Sequence, residues 1–339
     1  MRCPCLKDLP PPPPGKLGWP WAEESPQAPD RMENGSEWPR ISIVTPSFNQ
    51  GSFIEETIRS VLLQGYPNLE YFVIDGGSKD ETLSIIKKYE FWLSGWVSEK
   101  DRGQSHAINK GFARCTGDLI TFQNSDDFYF PGAFHDAAHL WRQEQSCGAI
   151  VGAFRRCNTQ SEPISNPVPS LLNLPSPRDL TLGPPGVYRL HQVSTFYTKA
   201  ALDQVGRRVV EDLHYVMDRE LLYRVCRQAR IVLSQNCYAA FRSHQDSKSV
   251  SLILPFAREF AQLYLRSLSG NPAQDRQRRR MARHRITSGY LKAGKQAPNL
   301  ANSAAFLLRA VFSDFSLLLT RQYASAWVRA LRQSSTATA

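Results

Sequence analysis

Two short stretches decide the fold of this sequence, and each is an apolar run that ends in a polar turn. Residues 41–49 read Ile-Ser-Ile-Val-Thr-Pro-Ser-Phe-Asn, and residues 71–78 read Tyr-Phe-Val-Ile-Asp-Gly-Gly-Ser. Short β-branched and aromatic runs that stop at Pro or Gly are typical of buried strands. We therefore predict strands over residues 41–45 and 71–74, each followed directly by a polar loop.

Helical patterns separate and follow these strands. Apolar residues recur at helical spacing after each one, at Ile54, Ile58, Val61 and Leu62, and at Leu83, Ile85, Ile86 and Tyr89. Ser52 with Glu55, and Ser78 with Glu81, predict a capping box at the start of each helix. Strands that alternate with helices of this length predict parallel βαβ units.

The alternation continues along the chain. A short strand over 96–99, a helix from Gln104 and a strand over 119–122 lead into Asn124-Ser125-Asp126-Asp127. Further strands are predicted over 149–154, 192–197, 231–233 and 238–241, and a helix over 217–227. We predict a doubly wound, mostly parallel α/β sheet with flanking helices. Ligands bind such sheets at the carboxyl ends of the strands, where Asp75, Asp126 and Asp127 lie.

The adjacent carboxylates of Asp126 and Asp127 are candidate metal ligands. A hard divalent cation binds one or two such oxygens and completes its shell with waters and ligand phosphates. The alternative is a turn or a helix cap, where Asn, Ser and Asp are all favoured. The pair alone does not decide between these interpretations.

A wider set of motifs resembles the bacterial family 2 glycosyltransferases, which have the Rossmann-like GT-A fold. The motifs are Pro-x-Phe-Asn at 46–49, Ile-Asp-Gly-Gly-Ser at 74–78, Gly103-Gln104 with Ala107-Ile108-Asn109-x-Gly111, and Asn-Ser-Asp-Asp at 124–127. The likeness is strong over residues 39–150 and moderate to residue 250. It departs at Gly76, where many members carry a second acidic residue, and residues 125–127 are not a strict Asp-x-Asp.

The resemblance implies a role for individual residues. Asp75 is expected to meet the nucleotide base, Asp126 the ribose, and Asp127 a Mg²⁺ or Mn²⁺ ion, with His244 as a second metal ligand. The rest of the nucleotide-sugar site is expected to contain Thr45, Pro46, Asn49, Gly103, Gln104 and Asn109. Asp218 matches the acidic position of the general base. An N-cap role for Asp218 is the alternative, and Glu211-Asp212 is the rival carboxylate pair.

The implied activity is inverting transfer of a sugar from a nucleotide-diphospho-sugar to a hydroxyl acceptor. The acceptor would be a glycan, a lipid-linked sugar or another precursor of cell-envelope polysaccharide. A nucleotidyltransferase of similar sheet topology is a second interpretation, although the turn at 45–51 has no basic residue. A non-enzymatic nucleic-acid-binding protein is a third. Residues 276–295 contain a single aromatic residue, Tyr290, for stacking on bases.

The two ends of the chain differ from its middle. Ten of the 23 prolines fall in the first 40 residues, which predicts an irregular N-terminal arm over 1–38 before a catalytic domain over 39–250. Residues 251–339 are predicted to be a helical, basic extension, because 13 of the 41 Lys and Arg residues lie between Arg266 and Arg332 against two acidic residues. With apolar clusters over 306–319, this extension predicts contact with an anionic membrane.

Composition sets the remaining bounds. The 339 residues are 42% hydrophobic and 21% charged, which is typical of globular proteins. The sequence contains no glycine-rich dinucleotide motif, no P-loop and no apolar run long enough to cross a bilayer. We therefore expect a cytoplasmic protein, peripheral at the inner face of the membrane. The seven cysteines have neither zinc spacing nor a disulfide pattern.

Overall fold

The computed structural model describes residues 1–172, 188–244, 253–267, 270–297, 299–314 and 321–336. These residues fall into two compact units, the first ending at Ser243 and the second beginning at His244. The domain boundary predicted at residue 250 remains a prediction, because residues 245–252 lie outside the described part of the chain. The predicted Pro-rich excursion over 160–186 also lies partly outside it.

The first unit is built on an eight-stranded sheet. In chain order its strands, with two short ones outside the sheet, are β1 (Ile41–Ser47), β2 (Leu69–Asp75), β3 (Gly95–Ser98), β4 (Leu119–Phe122), β5 (Phe128–Tyr129), β6 (Ala149–Cys157), β7 (Leu171–Leu172), β8 (Tyr188–Arg189), β9 (Thr195–Thr198) and β10 (Ile231–Arg242). The order across the sheet is β3-β2-β1-β4-β9-β6-β10-β5, and β7 pairs separately with β8.

Most strands of the sheet run in one direction. β1 is parallel to β2 and β4, β2 is parallel to β3, and β6 is parallel to β10. β9 is antiparallel to both β4 and β6, and β5 is antiparallel to β10. The prediction of a mostly parallel sheet with flanking helices is therefore confirmed, with two reversed strands that it did not specify.

Among the described residues of the first unit, six α-helices flank this sheet. They are α1 (Ile54–Leu62), α2 (Thr82–Tyr89), α3 (Gln104–Phe112), α4 (Ala133–Gln143), α5 (Lys199–Gln204) and α6 (Met217–Gln228). Both predicted capping boxes are wrong: the residues at the N-caps of α1 and α2 are Phe53 and Glu81, and neither makes a side-chain cap bond. The hydroxyl of Ser78 instead donates to Asp75 and accepts from the backbone of Asn49.

Two strand predictions in the second half need correction. The strands predicted over 231–233 and 238–241 are one strand, β10, whose pairing with β6 shifts register around Cys237. Residues 192–194 form a 3₁₀ turn rather than the start of a strand, and β9 begins at Thr195. Local irregularities of this kind leave the apolar pattern unchanged, so the pattern cannot reveal them.

The N-terminal segment, residues 1–38, contains neither a β-strand nor an α-helix. It nevertheless packs into the first unit, because Cys3, Trp21 and Trp38 are buried and the Trp19 indole donates to the carbonyl of Tyr129 at 2.7 Å. Arg59 of α1 is fully buried and binds three carbonyls of the segment, at Pro10, Pro20 and Trp21. The proline-rich segment therefore supplies three of the acceptors of a buried guanidinium, which also donates to the Tyr89 hydroxyl at 3.1 Å.

The second unit is helical, as predicted. Its helices are α7 (Ile253–Arg266), α8 (Pro272–Gln296), α9 (Leu300–Ser313) and α10 (Arg321–Thr336). α8 packs against α7 and α9, and its Leu291 joins a small core with Leu307, Val311 and Tyr323. No helix among the described residues combines the length and the apolar character that crossing a membrane requires. The apolar clusters predicted over 306–319 lie within the described residues up to residue 314, and residues 315–319 lie outside them.

All seven cysteines lie within the described residues, and none forms a disulfide bond. Five of them are buried, namely Cys3, Cys115, Cys147, Cys157 and Cys226. Burial raises the pKa of the Cys3, Cys115 and Cys157 thiols to about 12. The buried thiols are therefore protonated at neutral pH and act as small apolar side chains.

Candidate active site

The loops that carry the predicted residues meet at one edge of the sheet. β1, β2, β3 and β4 are mutually parallel neighbours, so the loops after Ser47, Asp75, Ser98 and Phe122 leave the same edge. The end of β10 joins them, because the backbone N–H of Arg242 donates to Asp127 Oδ1 at 2.8 Å. This edge contains a carboxylate pair, an exposed aromatic ring and several loop-to-loop hydrogen bonds.

The two carboxylates of the acidic pair have different environments. Asp127 is 1% exposed, and its Oδ2 accepts from the Asn124 amide at 3.2 Å. Burial, together with the negative charge of Asp126, raises the pKa of Asp127 well above its usual range. Asp126 is only half-buried. Asp127 is therefore fixed beneath the surface of the site, while Asp126 lies nearer to solvent.

Arg242 holds the loop that carries this pair. Its Nε donates to the carbonyl of Asp126 at 2.7 Å, and its Nη2 donates to Glu56 Oε2 at 2.9 Å. A third nitrogen, Nη1, donates to Ser161 Oγ at 2.9 Å. The guanidinium, which is 1% exposed, thus connects β10, α1 and the hairpin after β6 with the acidic loop. All three nitrogens of the guanidinium therefore point into the protein.

Asp75 is the most heavily hydrogen-bonded carboxylate at this edge. Its Oδ2 accepts from the backbone N–H groups of Gly77 and Ser78, at 3.0 and 2.9 Å, and from the Ser98 hydroxyl at 2.6 Å. Its Oδ1 accepts from the Ser78 hydroxyl. With 1% exposure, the side chain organises the loop after β2. Its expected contact with a nucleotide base remains a prediction.

Asn49 joins the loop after β1 to the loop after β2. Its backbone N–H donates to Ser78 Oγ at 2.7 Å, and its side-chain oxygen accepts from the N–H of Lys79 at 2.9 Å. The residue has a φ of 52°, a left-handed conformation that Asn tolerates better than most residues. Thr45 and Pro46 lie within β1 and are buried, and Thr45 Oγ1 is 3.0 Å from the Tyr71 hydroxyl.

Phe48 is a residue of this edge that the sequence reasoning missed. It follows β1 directly and is 58% exposed, whereas the seven residues of β1 are all buried. The signal was present in the Pro-x-Phe-Asn motif, since an aromatic residue in a polar loop after a buried strand has no core to fill. An exposed ring beside loops of this kind can stack on a planar ligand.

The residues predicted on α3 divide into two groups. Gly103, with a φ of 113°, precedes the helix, and the Gln104 amide donates to Asn124 Oδ1 at 2.7 Å. This bond ties the start of α3 to the acidic loop. Asn109 instead donates to the carbonyl of Val209 at 3.0 Å and accepts from its N–H at 2.9 Å. Its amide also donates to Glu211 Oε1 at 3.3 Å, so its contacts fasten residues 209 and 211, and a contact with the donor remains a prediction.

The two candidates for the general base differ in basicity. Asp218 is the second residue of α6, whose N-cap is Val216, so the carboxylate is not the helix cap. Burial raises the pKa of Asp218 above its usual range, with Arg219 Nε at 4.0 Å opposing the shift. Glu211 pairs with Arg102 at 2.8 Å, which lowers the pKa of Glu211. Burial thus makes Asp218 a stronger base than an ordinary Asp, whereas the ion pair makes Glu211 a weaker base than an ordinary Glu.

A divalent cation fits the acidic pair. Among the described residues there is no group of three or more His, Cys, Asp or Glu side chains that could hold a metal. Mg²⁺ and Mn²⁺ sites need no such group, because one or two carboxylates suffice when waters and substrate phosphates supply the other ligands. The like charges of Asp126 and Asp127 would both be stabilised by a cation. His244 belongs to the second unit, and its role as a metal ligand remains a prediction.

Comparisons with known proteins agree with this geometry. A family model described as glycosyl transferase family 2 matches residues 42–206. The putative teichuronic acid biosynthesis glycosyltransferase TuaG of Bacillus subtilis is 36% identical over 92 residues, which are 26% of this chain and 36% of TuaG. The chain spans about a third of the length of the curated relatives that match it at 36–39% identity.

Two solved structures have a similar fold. S. aureus TarS 1–349 in complex with UDP-GlcNAc has a TM-score of 0.54 at 19% identity, covering 86% of this chain and 79% of that chain. The mannosyltransferase PcManGT from Pyrobaculum calidifontis, in complex with GDP-Man and Mn²⁺, has a TM-score of 0.55 at 18% identity, covering 92% and 88%. The fold predicted from the sequence, GT-A with a helical extension, is confirmed, and residues 42–206 are similar to glycosyl transferase family 2.

Proposed function

We propose that this chain is an inverting glycosyltransferase that moves a sugar from a nucleotide-diphospho-sugar to a hydroxyl group of a glycan, lipid-linked or polysaccharide precursor. The observation that carries the proposal is the meeting, at one sheet edge, of an acidic pair with the ends of four parallel strands. The complexes of TarS with UDP-GlcNAc and of PcManGT with GDP-Man support a nucleotide-sugar donor.

The donor is expected to bind across the strand ends. Phe48 would stack on the base, Asn49 and Gln104 hold their loops in place, and Asp126 would accept hydrogen bonds from the ribose hydroxyls. Asp126 and Asp127 would hold a Mg²⁺ or Mn²⁺ ion, whose remaining ligands would be waters and the diphosphate. When bound, the cation neutralises charge on the leaving diphosphate. PcManGT with bound Mn²⁺ supports this choice of metal.

Asp218 would act on the acceptor. Its carboxylate would remove the proton from the acceptor hydroxyl as that oxygen attacks the anomeric carbon of the donor sugar. Attack on the face opposite the diphosphate inverts the configuration of this carbon. A base must be unprotonated yet basic enough to take a proton, and the raised pKa of Asp218 meets this need better than the lowered pKa of Glu211.

Thermal-shift and calorimetric binding of UDP, GDP, dTDP and CDP, with and without Mn²⁺, test the donor site. We expect at least one diphosphate to bind, with an affinity that Mn²⁺ increases. Asp127→Asn should abolish the Mn²⁺-dependent part of binding, and Asp126→Asn should weaken binding with Mn²⁺ present. Asp203→Asn, which removes an exposed carboxylate of α5, is the control. Equal affinity of the wild type and Asp127→Asn at saturating Mn²⁺ would refute the metal assignment.

The second unit is proposed to contact an anionic membrane. Exposed residues of α8 include Arg276, Arg279, Arg280, Arg283 and Lys292. On α9, Leu308 and Phe312 are 50% and 73% exposed. Basic side chains are attracted to anionic lipid headgroups, and exposed apolar ones insert beneath them. Such contact suits an enzyme whose acceptor is linked to lipid.

A further inference from the structure

The loop after β3 places a carboxylate over Gly76. A Cβ at Gly76 would lie 2.9 Å from Asp101 Oδ2 and 3.2 Å from its Cγ. A Cβ rarely lies within 3.0 Å of another heavy atom, so the Asp101 carboxylate occupies the space of a side chain at residue 76 and would have to shift to admit one. The absence of a side chain at Gly76 therefore allows an acidic group from another loop to reach this position.

One oxygen of Asp101 remains available for a ligand. Oδ1 accepts from the backbone N–H of Gly103 at 2.8 Å, just before α3. Oδ2 accepts no hydrogen bond from the described residues, and Asp101 is only half-buried. Asp75 differs in this respect, because both of its oxygens accept hydrogen bonds from loop residues and it is 1% exposed.

Asp101 and the exposed ring of Phe48 follow strands that both pair with β2. Ser47 pairs with Asp75 across β1 and β2, and the N–H of Gly76 donates to the carbonyl of Ser47 at 2.8 Å. Phe48 and Gly76 are therefore the next residues on adjacent strands, which lie about 4.8 Å apart. Asp75 pairs in turn with Ser98 of β3, three residues before Asp101. A stacking surface and an available acceptor thus occur together at three neighbouring strand ends.

We propose that Asp101, rather than Asp75, determines which nucleobase the donor carries, and that it selects bases with a ring N–H. A carboxylate accepts hydrogen bonds, so it favours uracil and thymine, with N3–H, and guanine, with N1–H and N2–H₂. Cytosine presents an unprotonated N3 beside its amino group, and adenine presents N1. Either lone pair would face the carboxylate and repel it. This inference rests on the proposed function and names the donor class of the same site.

Calorimetric titration with UDP, GDP, dTDP, CDP and ADP at saturating Mn²⁺ measures the selection. Of UDP, GDP and dTDP, the one that the wild type binds most tightly should bind at least tenfold more tightly than CDP or ADP. This ratio of affinities is the measure of base selection. Asp101→Asn keeps the acceptor for Gly103 N–H but offers an amide donor, so this ratio should fall by about tenfold or more. Gly76→Ala should lower the ratio in the same direction, because its Cβ displaces the Asp101 carboxylate.

Glu99→Gln is the matched control, since it removes one negative charge two residues away on the same loop. It should change all five affinities by a similar factor and leave their ratio intact. A uniform change in Asp101→Asn, equal to that of Glu99→Gln, would refute base selection by Asp101. A wild type that prefers CDP or ADP would also refute it, while leaving the proposed transferase in place. No binding of any diphosphate would overturn the proposed function and this inference together.

Discussion

At the scale of single residues, Asp218 combines partial exposure with a raised pKa. Burial favours the protonated carboxyl, so the folded chain binds this proton more tightly than the unfolded chain does. The ionised Asp218 carboxylate therefore lowers the free energy of unfolding at neutral pH. Its presence is explained by chemistry and not by a contribution to folding. A carboxylate in such a setting is suited to accept a proton from a hydroxyl group.

We expect Asp218→Asn to lower kcat by about 10²–10⁴, the usual contribution of a general base. The donor's dissociation constant should be unchanged, and the melting temperature at neutral pH should stay level or rise, because the buried charge is removed. In the wild type, kcat should increase with pH through the raised pKa of Asp218. This rise on the acid side of the pH–rate profile should be missing from the variant. Steady-state kinetics between pH 4 and 9 measure both effects.

The rival carboxylates supply the controls for this experiment. Glu211→Gln and Asp212→Asn remove the same charge nearby and should leave the acid limb of the pH profile in place. Normal turnover by Asp218→Asn, combined with inactive Glu211 or Asp212 variants, would move the base to that pair. Loss of folding in Asp218→Asn would make its role structural.

Arg242 allows a prediction about stability. Arg242→Met would leave Glu56, which is 4% exposed, without its partner 2.9 Å away. Removing one member of a buried ion pair typically lowers the free energy of unfolding by about 3–5 kcal/mol. Urea unfolding followed by tryptophan fluorescence reports on the first unit, because six of the seven tryptophans precede Ser243.

The double variant Arg242→Met/Glu56→Gln separates charge from packing. It leaves no uncompensated carboxylate, so part of the lost stability should return. If the double variant is as unstable as the single one, the cost comes from the other hydrogen bonds of Arg242 and not from the unpaired buried charge of Glu56. Arg242→Lys, which keeps the charge but not the planar fork, should be intermediate.

At the scale of elements, the contact between α3 and β1 depends on one glycine. A Cβ at Gly111 would lie 2.3 Å from Val44 Cγ1 and 2.7 Å from Cγ2. Gly111→Ala should therefore force the helix away from the strand, which lowers the free energy of unfolding by about 1–3 kcal/mol. The higher helix propensity of alanine returns roughly 1 kcal/mol of this loss. Because α3 also positions Gln104, the same substitution should lower the affinity for the donor.

A double-mutant cycle with Val44→Ala tests this cause. Removing the two methyl groups opens the space that the new Cβ needs, so Gly111→Ala should cost much less in that background, or even stabilise the chain. An equal cost in both backgrounds would show that the clash with Val44 is not responsible. Urea unfolding curves of the four proteins measure the coupling.

The elements also show what the sequence could predict. β1 and β4 were predictable because each is a short apolar run ended by polar residues, and their loops contained Asn49, Asp126 and Asp127. The reversed direction of β9 was not predictable, since a strand's direction follows from partners far away, here Leu119 and Ala149 for residues 197–198. Ser52 and Ser78 matched a helix-capping pattern, but the pattern does not reveal that a loop needs the Ser78 hydroxyl.

The residues of the site were predictable to a similar extent. A motif indicates which side chains lie at the strand ends, and this was sufficient for Asp126, Asp127 and Gln104. It does not indicate which oxygen atoms are already occupied. Asp75 stood out in the sequence, yet neighbouring loops use both of its carboxylate oxygens. Asp101 did not stand out, because its position over Gly76 depends on the pairing of β2 with β3.

At the scale of the whole molecule, the uneven distribution of charge leads to a prediction about membranes. Each basic residue near an anionic surface contributes about 1 kcal/mol of binding, so Arg279→Gln/Arg280→Gln/Arg283→Gln should weaken binding to phosphatidylserine vesicles by about 100-fold. Leu308→Ser/Phe312→Ser should weaken it further at high salt, where the contribution of charge is screened. Vesicle co-sedimentation of the full chain measures both.

A matched variant and a competing ligand complete this test. Lys7→Gln/Lys87→Gln/Arg114→Gln removes three exposed charges from the first unit and should leave vesicle binding nearly unchanged. Neutral phosphatidylcholine vesicles should bind weakly to every variant. Tight binding of duplex DNA without binding of anionic vesicles would reverse the assignment and favour a nucleic-acid partner for the second unit.

The buried cysteines make it possible to time the opening of the first unit. A thiol reagent reacts only with an ionised, accessible sulfur. A buried thiol with a pKa near 12 therefore reacts mainly after local unfolding exposes it. Cys3 lies in the N-terminal segment, whereas Cys157 ends β6. Labelling followed by mass spectrometry would give a rate for each. If Cys3 reacts much earlier than Cys157, the segment detaches while the sheet is intact; equal rates mean that proline-rich segment and sheet unfold in one cooperative step.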